Sequence, residues 1–382
     1  MRILLVFDVP GWSVHNVARQ IAAQAAAQDG GRHEVRLLGR ADWVGRPAAL
    51  RAALEWSELH VFLWRFDLVA ALEMLGPRAA AAMAERVSAV VVFDEVYRDP
   101  ADLLSLGDPF AVADLVAVSS ERLRALYRAT PHLPDPGHVL VDGVDTGRFA
   151  PGDGGGGGPL QVAWVGDSAW GGNIAPDFKG FHGVFRPAMA PLEREGLAQA
   201  RVADRQGPQV APEAMPAFYR GVDVYACTSR AEGTPNPLLE SMAAGAAVVT
   251  TDVGVAREVL GPEGLDFVLP REAAAFEAAL RRLAGDRALL ARLRGESLAR
   301  RDALSWHARY NAWQALFAEA EAVRGDAERA GRKRRVIEAL LARPRTPMAR
   351  VRGAVFRSAA LYRLYTGVLR RAPGVLRRLR GR

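Results

Sequence analysis

Cysteine is nearly absent from this chain of 382 residues, because Cys227 is the only one. A single thiol excludes a disulfide within the chain and is typical of a reducing compartment. The chain also has no Cys pair, no His-x3-His and no Asp-x-Asp in a plausible loop. These spacings are the usual signatures of metal sites, so we expect neither a metal nor another cofactor.

Long uncharged apolar runs are missing as well. No stretch reaches the roughly 18–20 residues that a membrane-spanning helix requires. The first apolar run, residues 3–7, is interrupted at once by Asp8, Pro10 and Gly11. It therefore predicts a buried strand and not a secretory signal. We expect a cytoplasmic protein, with any membrane contact limited to the inner face of the plasma membrane.

Lysine is scarce, and the charge is unevenly distributed. Lys179 and Lys333 are the only lysines among 50 basic residues. Residues 331–382 contain sixteen Lys or Arg and one acid, a net +15, so the other 330 residues carry −8 of the total of +7. The globular part is thus predicted to be acidic and the tail strongly basic.

The basic tail has a helical pattern over residues 351–371. At 100° per residue its apolar positions form one stripe with arginines beside it: Val351, Val355, Tyr362, Tyr365 and Leu369. A basic amphipathic helix is typical of segments that lie on anionic membranes, and we predict such a partner for residues 331–382. The alternatives are a helix packed on its own domain and a tail that binds nucleic acid, a partner we do not expect.

Strand-like and helix-like segments alternate in two series, which predicts an α/β fold. Between the two series, residues 154–158 are five consecutive glycines, which cannot hold a fixed conformation cheaply. We therefore predict four regions. The last helix of the second α/β domain is free to return to the N-terminal one. They are an N-terminal α/β domain at 1–150, a Gly-rich linker at 151–159, a second α/β domain at 160–330 and the basic tail at 331–382.

Residues 229–245 contain the strongest chemical signal. They lie between the predicted strands 222–226 and 247–250, and Gly233, Thr234 and Pro235 predict a tight turn there. Free backbone N–H groups in such a turn, together with the start of the following helix, form a site for an anion. Turns of this kind lie at the carboxyl ends of parallel strands, where ligands bind.

Two glutamates flank this turn. Glu232 precedes it and Glu240 lies eight residues later, in the predicted helix. Carboxylates accept hydrogen bonds from neighbouring hydroxyl groups, so Glu232 suits a sugar and Glu240 a ribose. The alternative is that Glu232 caps the helix and Glu240 is a solvated surface acid. The turn and its flanking strands favour a nucleotide-sugar site.

The spacing Glu232-x7-Glu240, followed by Ser-Met-Ala-Ala-Gly and by Thr-Asp-Val-Gly at 251–254, resembles the signature of retaining glycosyltransferases of family four. Similar segments also occur at 142–149, 215–219 and 222–225. The resemblance implies the GT-B fold, in which two Rossmann-like domains face each other across a cleft. It also implies a nucleoside-diphosphate sugar donor, retention of the anomeric configuration and no obligatory metal.

The resemblance also places the donor-side residues. Lys179 matches the family's Lys-Gly pair, whose cation holds the donor diphosphate, whereas Asp167 stands where the family usually has arginine. In a chain that favours arginine, a lysine here indicates that a compact ammonium group is required. We predict Glu232 and Lys179 as catalytic residues. The predicted donor-binding residues are Gly11, Gly166, Ser168, Lys179, Gly233, Thr234, Pro235, Asn236, Leu239 and Glu240.

The acceptor side departs from the family pattern. The family has a histidine after a middle strand of the first domain, but residues 92–97 offer Asp94 and Glu95 instead. His15, close to Gly11 in the first strand–helix turn, is a further candidate. We predict catalytic roles for Asp94, Glu95 and His15. The alternatives are a polar loop for the two acids and a helix-start histidine.

These expectations combine into one predicted function. The chain is expected to move a sugar from a nucleoside-diphosphate sugar to a glycan or a lipid-linked acceptor, with retention, in cell-surface polysaccharide or glycolipid synthesis. A nucleotide-sugar epimerase is one alternative, since such enzymes can share the architecture. A non-catalytic membrane-associated partner with a relic donor site is the other, because Asp167 removes one of the usual cations.

Overall fold

The structure is a computed structural model that describes residues 1–94, 103, 107–154, 156–172, 174–343 and 347–364. It divides into two compact units. The first unit consists of Met1–Leu140 and Tyr310–Arg382, and the second of Val141–Arg309. Each unit contains a parallel sheet with helices, so the predicted α/β class is confirmed.

The first unit is built on a six-stranded parallel sheet with the order β2-β1-β3-β4-β5-β6. Its central strands are buried along their whole length; β4, for example, reads Val-Ser-Ala-Val-Val-Val and is entirely buried. Continuous apolar runs of this kind are typical of parallel strands that are covered on both faces. The strands are β1 Arg2–Phe7, β2 Glu34–Gly39, β3 Leu59–Phe62, β4 Val87–Val92, β5 Leu115–Val118 and β6 His138–Val139.

Helices follow these strands in the described part of residues 1–140. In the first of them, Val17, Ile21 and Ala25 are buried, as their spacing predicts. The helices are α1 Ser13–Gln28, α2 Arg40–Trp43, α3 Pro47–Trp56, α4 Phe66–Leu75, α5 Pro77–Ala82 and α6 Glu121–Arg128, with a 3₁₀ turn at Met83–Glu85.

The second unit has a five-stranded parallel sheet with the order β11-β10-β9-β7-β8. The strands are β7 Leu160–Gly166, β8 Ala198–Asp204, β9 Val224–Cys227, β10 Ala247–Thr251 and β11 Val268–Leu269. Its helices are α7 Arg186–Arg194, α8 Met215–Arg220, α9 Asn236–Ala243, α10 Ala256–Val259, α11 Ala273–Gly285 and α12 Arg287–Ala299. A π-helical turn, Phe181–Phe185, precedes α7, and 3₁₀ turns occupy Pro212–Ala214, Gly264–Phe267 and Asp302–Leu304.

The division between the units differs from the predicted domain boundaries. The predicted linker, residues 151–159, lies in the second unit because its backbone is bonded there. The N–H of Gly152 donates to the carbonyl of Ala244 at 3.0 Å, and Arg294 donates to the carbonyls of Gly152 and Asp153. Composition alone suggested a flexible segment, but a Cβ at Gly152 would collide with the backbone of Arg220, and one at Gly154 with the side chain of Asp223. The start of the segment is therefore packed inside the second unit.

The second boundary lies at 309/310 and not at 330, because the last helix of the predicted region 160–330 returns to the first unit, as the prediction allowed. Helix α13, Trp306–Val323, carries the chain back into the first unit. There the hydroxyl of Tyr310 and the amide of Gln314 both donate to the carboxylate of Asp29, at 2.6 and 2.8 Å. These bonds fix residues 310–323 to the end of α1.

Part of the basic tail is folded onto the first unit. Helix α14, Ala327–Ala342, carries Lys333 and Arg329, whose side chains are almost fully buried. Lys333 donates to Asp114 at 2.6 Å and to Ser88 at 2.8 Å, and Arg329 binds the other oxygen of Asp114 at 3.0 Å. This start of the tail is therefore structural, which corrects the prediction of a membrane-bound segment beginning at 331.

Replacing Asp114 by alanine tests this anchor. The change leaves two cations buried without a counter-charge, which costs about 3–5 kcal/mol of unfolding free energy. Arg332→Ala on the same helix is the matched control, since its pair with Glu328 is exposed and contributes about 0–1 kcal/mol. Chemical denaturation measures both variants. Equal stabilities for the two would contradict the anchoring role of the buried cluster.

The predicted continuous helix over 351–371 is interrupted. Helix α15, Pro347–Arg357, ends before Ser358, whose hydroxyl accepts the N–H of Leu361 and so caps a new helical segment. The carbonyl of Phe356 accepts the N–H of Gly45 at 2.7 Å, and Tyr362 packs against the core of the first unit. The predicted stripe is therefore wrong for residues 351–364, while Tyr365 and Leu369 lie outside the described residues.

Three large apolar side chains of this segment remain on the surface: Val351, Leu361 and Leu364. Over the ranges given above, the structure contains no helix that is long and apolar enough to cross a membrane.

Candidate functional site

The predicted donor site lies in the second unit, on loops that leave the carboxyl ends of β7 and β9. Ligands of open parallel sheets bind at these ends. The loop after β7 carries Lys179, and the loop after β9 carries Glu232. Their side chains form an ion pair, with 2.5 Å between Lys179 Nζ and Glu232 Oε1, and each is 18% exposed. The structure thus brings together the two predicted catalytic residues of the donor side, Lys179 and Glu232.

Ser229 fixes the carboxylate of this pair. Its hydroxyl donates to the same Glu232 oxygen at 2.6 Å, and the serine itself is buried. The orientation of Glu232 is therefore set by one neutral and one charged donor. Ser229 was not among the predicted site residues, although its spacing of three residues before Glu232 offered a signal.

The loop that carries Lys179 is bound tightly to the end of β9. The hydroxyl of Thr228 donates to the carbonyl of Lys179 at 2.8 Å. Gly180 has φ +74°, and a Cβ there would collide with the carbonyl of Thr228, so only glycine fits. The position after Lys179 therefore requires glycine. The close approach of the two loops also holds the ammonium group of Lys179 next to Glu232.

Arg271 connects the same two loops through hydrogen bonds to their backbone. Its Nε donates to the carbonyl of Thr228 at 2.9 Å, and its Nη2 donates to the carbonyl of Asp177. Burial lowers the pKa of Arg271, and the nearby Asp177 carboxylate opposes that shift. No motif points to Arg271, because it lies beyond β11 and meets the site only in the folded chain.

Asp177 shapes the turn before Lys179. It is a non-glycine residue with positive φ, +47°, a conformation that costs backbone energy. Its carboxylate compensates by accepting the N–H groups of His182 at 3.1 Å and Gly183 at 2.8 Å. These bonds cap the π-helical turn that begins at Phe181.

Asp167, where the family usually has arginine, has a local role. Its carboxylate accepts the N–H of Ala169 at 3.1 Å and the side-chain amide of Gln206 at 2.9 Å. Next to it, Gly166 ends β7, and the N–H of the buried Ser168 donates to Asp204 at 3.0 Å.

Ser168 also lines a cavity of about 450 Å³, together with Ala169, Phe181, His182, Arg186, Asp204, Gln206, Gly207 and Pro208.

The Gly-Thr-Pro turn lies at the start of α9, as predicted. Gly233 and Pro235 are buried, whereas Thr234 and Asn236 are partly exposed. Leu239 is completely buried in the second unit. The prediction that Leu239 binds the donor is therefore corrected for its side chain, which packs inside the unit because it lies on the inner face of a short helix.

Glu240 lies in α9 with a strongly perturbed carboxyl group. Burial raises its pKa to about 7, and the neighbouring Tyr219 and Arg148 act in the opposite direction. The buried hydroxyl of Tyr219 interacts with this carboxyl but does not reach hydrogen-bond geometry. A carboxyl that ionises near neutrality is typical of a functional group in a site.

The first unit holds the predicted acceptor-side residues. The N–H of Gly11 donates to Nδ1 of His15 at 2.9 Å, and the imidazole stacks on Phe7. Burial and the charge of Arg19 lower the pKa of His15, which favours the neutral ring. Asp94 pairs with the buried Arg65 at 3.2 Å, and Glu95 lies outside the described residues.

Metal-ligating side chains do not cluster in the part of the chain that the structure describes. No group of three or more His, Cys, Asp or Glu residues there is placed to hold a metal ion.

Comparison with known proteins finds one family match. Residues 187–286 match the family described as "Glycosyl transferases group 1". No curated protein matches the chain significantly.

Solved structures share the fold at low sequence identity. HepE from Anabaena, in complex with UDP and glucose, is 13% identical with a TM-score of 0.61, covering 84% of this chain and 100% of its own. The catalytic domain of starch synthase IV from Arabidopsis thaliana, bound to ADP and acarbose, is 12% identical with a TM-score of 0.59 (84% and 99% covered). Sucrose-phosphate synthase from Thermosynechococcus elongatus is 15% identical with a TM-score of 0.56 (84% and 99%).

The solved structures show the fold of the chain. The fold is the GT-B fold, as predicted from the resemblance. Residues 187–286, which contain the Glu232–Glu240 segment, are similar to the group 1 glycosyltransferases.

Proposed function

We propose that this glycosyltransferase moves a sugar from a nucleoside-diphosphate sugar to a glycan or a lipid-linked acceptor, with retention of the anomeric configuration. The observation that carries the proposal is the Lys179–Glu232 ion pair at the carboxyl ends of β7 and β9. The structures of similar fold that hold UDP with glucose, or ADP, support the choice of donor class.

The ion pair suits the chemistry of such a donor. When the sugar departs, negative charge develops on the diphosphate, and a fixed ammonium group stabilises that charge. Lys179 would supply the ammonium group and Glu232 would accept hydrogen bonds from the sugar hydroxyls. The sugar departs through this electrostatic assistance and not through a protein nucleophile.

Glu240 gives the proposal a pH dependence. Because its pKa is raised to about 7, the carboxylate that would accept the ribose hydroxyls is fully formed only above that pH. We expect donor affinity to weaken several-fold as the pH falls from 8 to 6. Calorimetric titration across this range measures it, and Glu240→Gln should give a weaker but pH-independent affinity. If the donor affinity of Glu240→Gln depended on pH as that of the wild type does, the assignment of Glu240 would be contradicted.

The proposal includes transfer without an obligatory metal, with Lys179 as the cation for the diphosphate. Turnover should therefore survive dialysis against EDTA. Loss of activity in EDTA that Mg²⁺ or Mn²⁺ restores would overturn this part of the proposal.

We further propose that the protein acts in the cytoplasm, at the inner face of the plasma membrane, in cell-surface polysaccharide or glycolipid synthesis. The exposed Leu361 and Leu364, within a tail of net +15, support contact with an anionic lipid surface. Leu361→Gln/Leu364→Gln should weaken sedimentation with anionic vesicles, while Leu265→Gln, an exposed leucine of the second unit, should not. Equal binding by all three proteins would contradict membrane contact through the tail.

A donor screen tests the central proposal. Thermal shift over UDP, GDP, ADP and CDP should reveal one stabilising nucleotide, and the matching nucleotide-sugars should then release it in the presence of glycan acceptors. Conversion of the nucleotide-sugar to an isomer without release of the nucleotide would favour an epimerase and overturn the proposal.

A further inference from the structure

We propose that the indole of Trp170 is the platform on which the sugar ring of the donor stacks. The proposal rests on the proposed function and adds a residue for recognition of the sugar. Trp170 lies in the loop between β7 and the π-helical turn, in the same loop as Lys179.

Trp170 is a large aromatic side chain that is left on the surface. It is 36% exposed and Trp12 is 42% exposed, whereas Trp43, Trp164 and Trp313 are buried. A single exposed aromatic side chain is ordinary on a protein surface. The indole of Trp170 differs in lying beside the Lys179–Glu232 pair, where a bound ligand would cover it.

The indole is nevertheless held in a fixed orientation. Phe178 packs edge to face against it, with 5.0 Å between the ring centroids and 72° between the ring planes. Gly171, with φ +75°, permits this contact, because a Cβ there would lie 2.6 Å from Phe178. A ring that is fixed before the ligand arrives loses little conformational entropy on binding.

The position of the indole connects it to the ion pair. Lys179 Nζ lies 4.7 Å from the centroid of the Trp170 ring and 2.5 Å from Glu232 Oε1. A sugar that is bound through its diphosphate to Lys179 and through its hydroxyls to Glu232 therefore lies within reach of the indole.

The chemistry of a sugar ring matches this arrangement. A pyranose has a hydroxyl rim, which needs acceptors such as a carboxylate, and ring faces that carry C–H groups with partial positive charge. The face of an indole carries partial negative charge and attracts such groups. Glu232 would thus accept hydrogen bonds from the hydroxyl groups of the sugar, and Trp170 would stack on one face of its ring. The diphosphate would not contact the indole.

A second role is possible on the same geometry and predicts a different result. The contact between the ammonium group and the indole is a cation–π interaction, which alone would position Lys179. Loss of the indole would then weaken binding of the diphosphate, whether or not a sugar is attached.

Calorimetry with a matched pair of ligands separates the two roles. The ligands are the nucleoside diphosphate found in the donor screen and its sugar conjugate. Trp170→Ala should bind the conjugate about 3- to 10-fold more weakly, and the free nucleoside diphosphate within about 2-fold of the wild type. Trp170→Phe, which keeps an aromatic face, should recover most of the loss. Ile174→Ala, an exposed apolar change in the same loop, is the control and should leave both affinities unchanged.

Three results would overturn the inference. An equal loss for both ligands would assign the indole to positioning of Lys179. No loss for either ligand would show that the indole does not contact the donor, and failure of Trp170→Phe to recover affinity would exclude stacking. A wild-type protein that binds none of the nucleoside diphosphates would instead overturn the proposed function itself.

Discussion

Lys179→Ala is expected to lower the rate of sugar transfer, kcat, by about 10²- to 10³-fold. The magnitude is typical for removal of one preorganised group that stabilises charge in a transition state. Lys179 meets this description because its loop is fixed to the end of β9. The hydroxyl of Thr228 donates a hydrogen bond to the carbonyl of Lys179, and Gly180 packs so closely against Thr228 that no larger residue fits. The fixed ammonium group needs no rearrangement when charge develops on the leaving diphosphate. Steady-state turnover of the donor identified in the screen measures the effect.

Arg292→Ala is the matched control for this change. It removes an exposed cation of the same unit, whose ion pair with Glu263 lies on the surface. Its kcat should equal that of the wild type. A Lys179→Ala protein that keeps its thermal stability and still turns over donor at the wild-type rate would contradict the role given to the lysine.

Glu232→Gln is expected to lower kcat/KM for the donor by about 10- to 100-fold. The amide keeps the shape of the side chain but loses the charge-assisted hydrogen bonds of the carboxylate, which contribute about 1.5–3 kcal/mol each. The same change frees Lys179 from its counter-charge at 2.5 Å. Affinity for the free nucleoside diphosphate should therefore stay equal or rise, while transfer falls.

This opposite response of binding and transfer distinguishes a contact to the sugar from simple loss of structure. Glu263→Gln, at the exposed pair with Arg292, is the control and should change neither quantity. If Glu232→Gln weakened diphosphate binding as strongly as it lowered turnover, Glu232 would serve to position Lys179 and would not contact the sugar.

Much of the fold follows from patterns that are local in the sequence. Buried parallel strands such as β4 are uninterrupted apolar runs, and helix α1 shows its buried face in the spacing of Val17, Ile21 and Ala25. Alternation of such segments determines the α/β class. The pairing of Lys179 with Glu232 was accessible because each lies in a short motif next to a strand end.

Other features depend on contacts between distant segments and leave no local signal. The glycine-rich residues 151–159 suggested a linker, but their hydrogen bonds to Ala244 and from Arg294 place them in the second unit. Lys333 belongs to a basic run, yet its side chain is buried and its ammonium group pairs with Asp114, which lies more than 200 residues earlier in the chain. Arg271 likewise reaches the donor site only through the fold of the second unit.

The central claim is retaining sugar transfer at the site of Lys179 and Glu232, and a ¹H NMR time course of the reaction tests it most directly. The sample contains the protein, the nucleotide-sugar selected by the screen and a glycan or lipid-linked acceptor. We predict release of the nucleoside diphosphate together with a new anomeric signal of the same configuration as in the donor. A product of inverted configuration, or an isomeric nucleotide-sugar formed without release of the nucleotide, would contradict the claim.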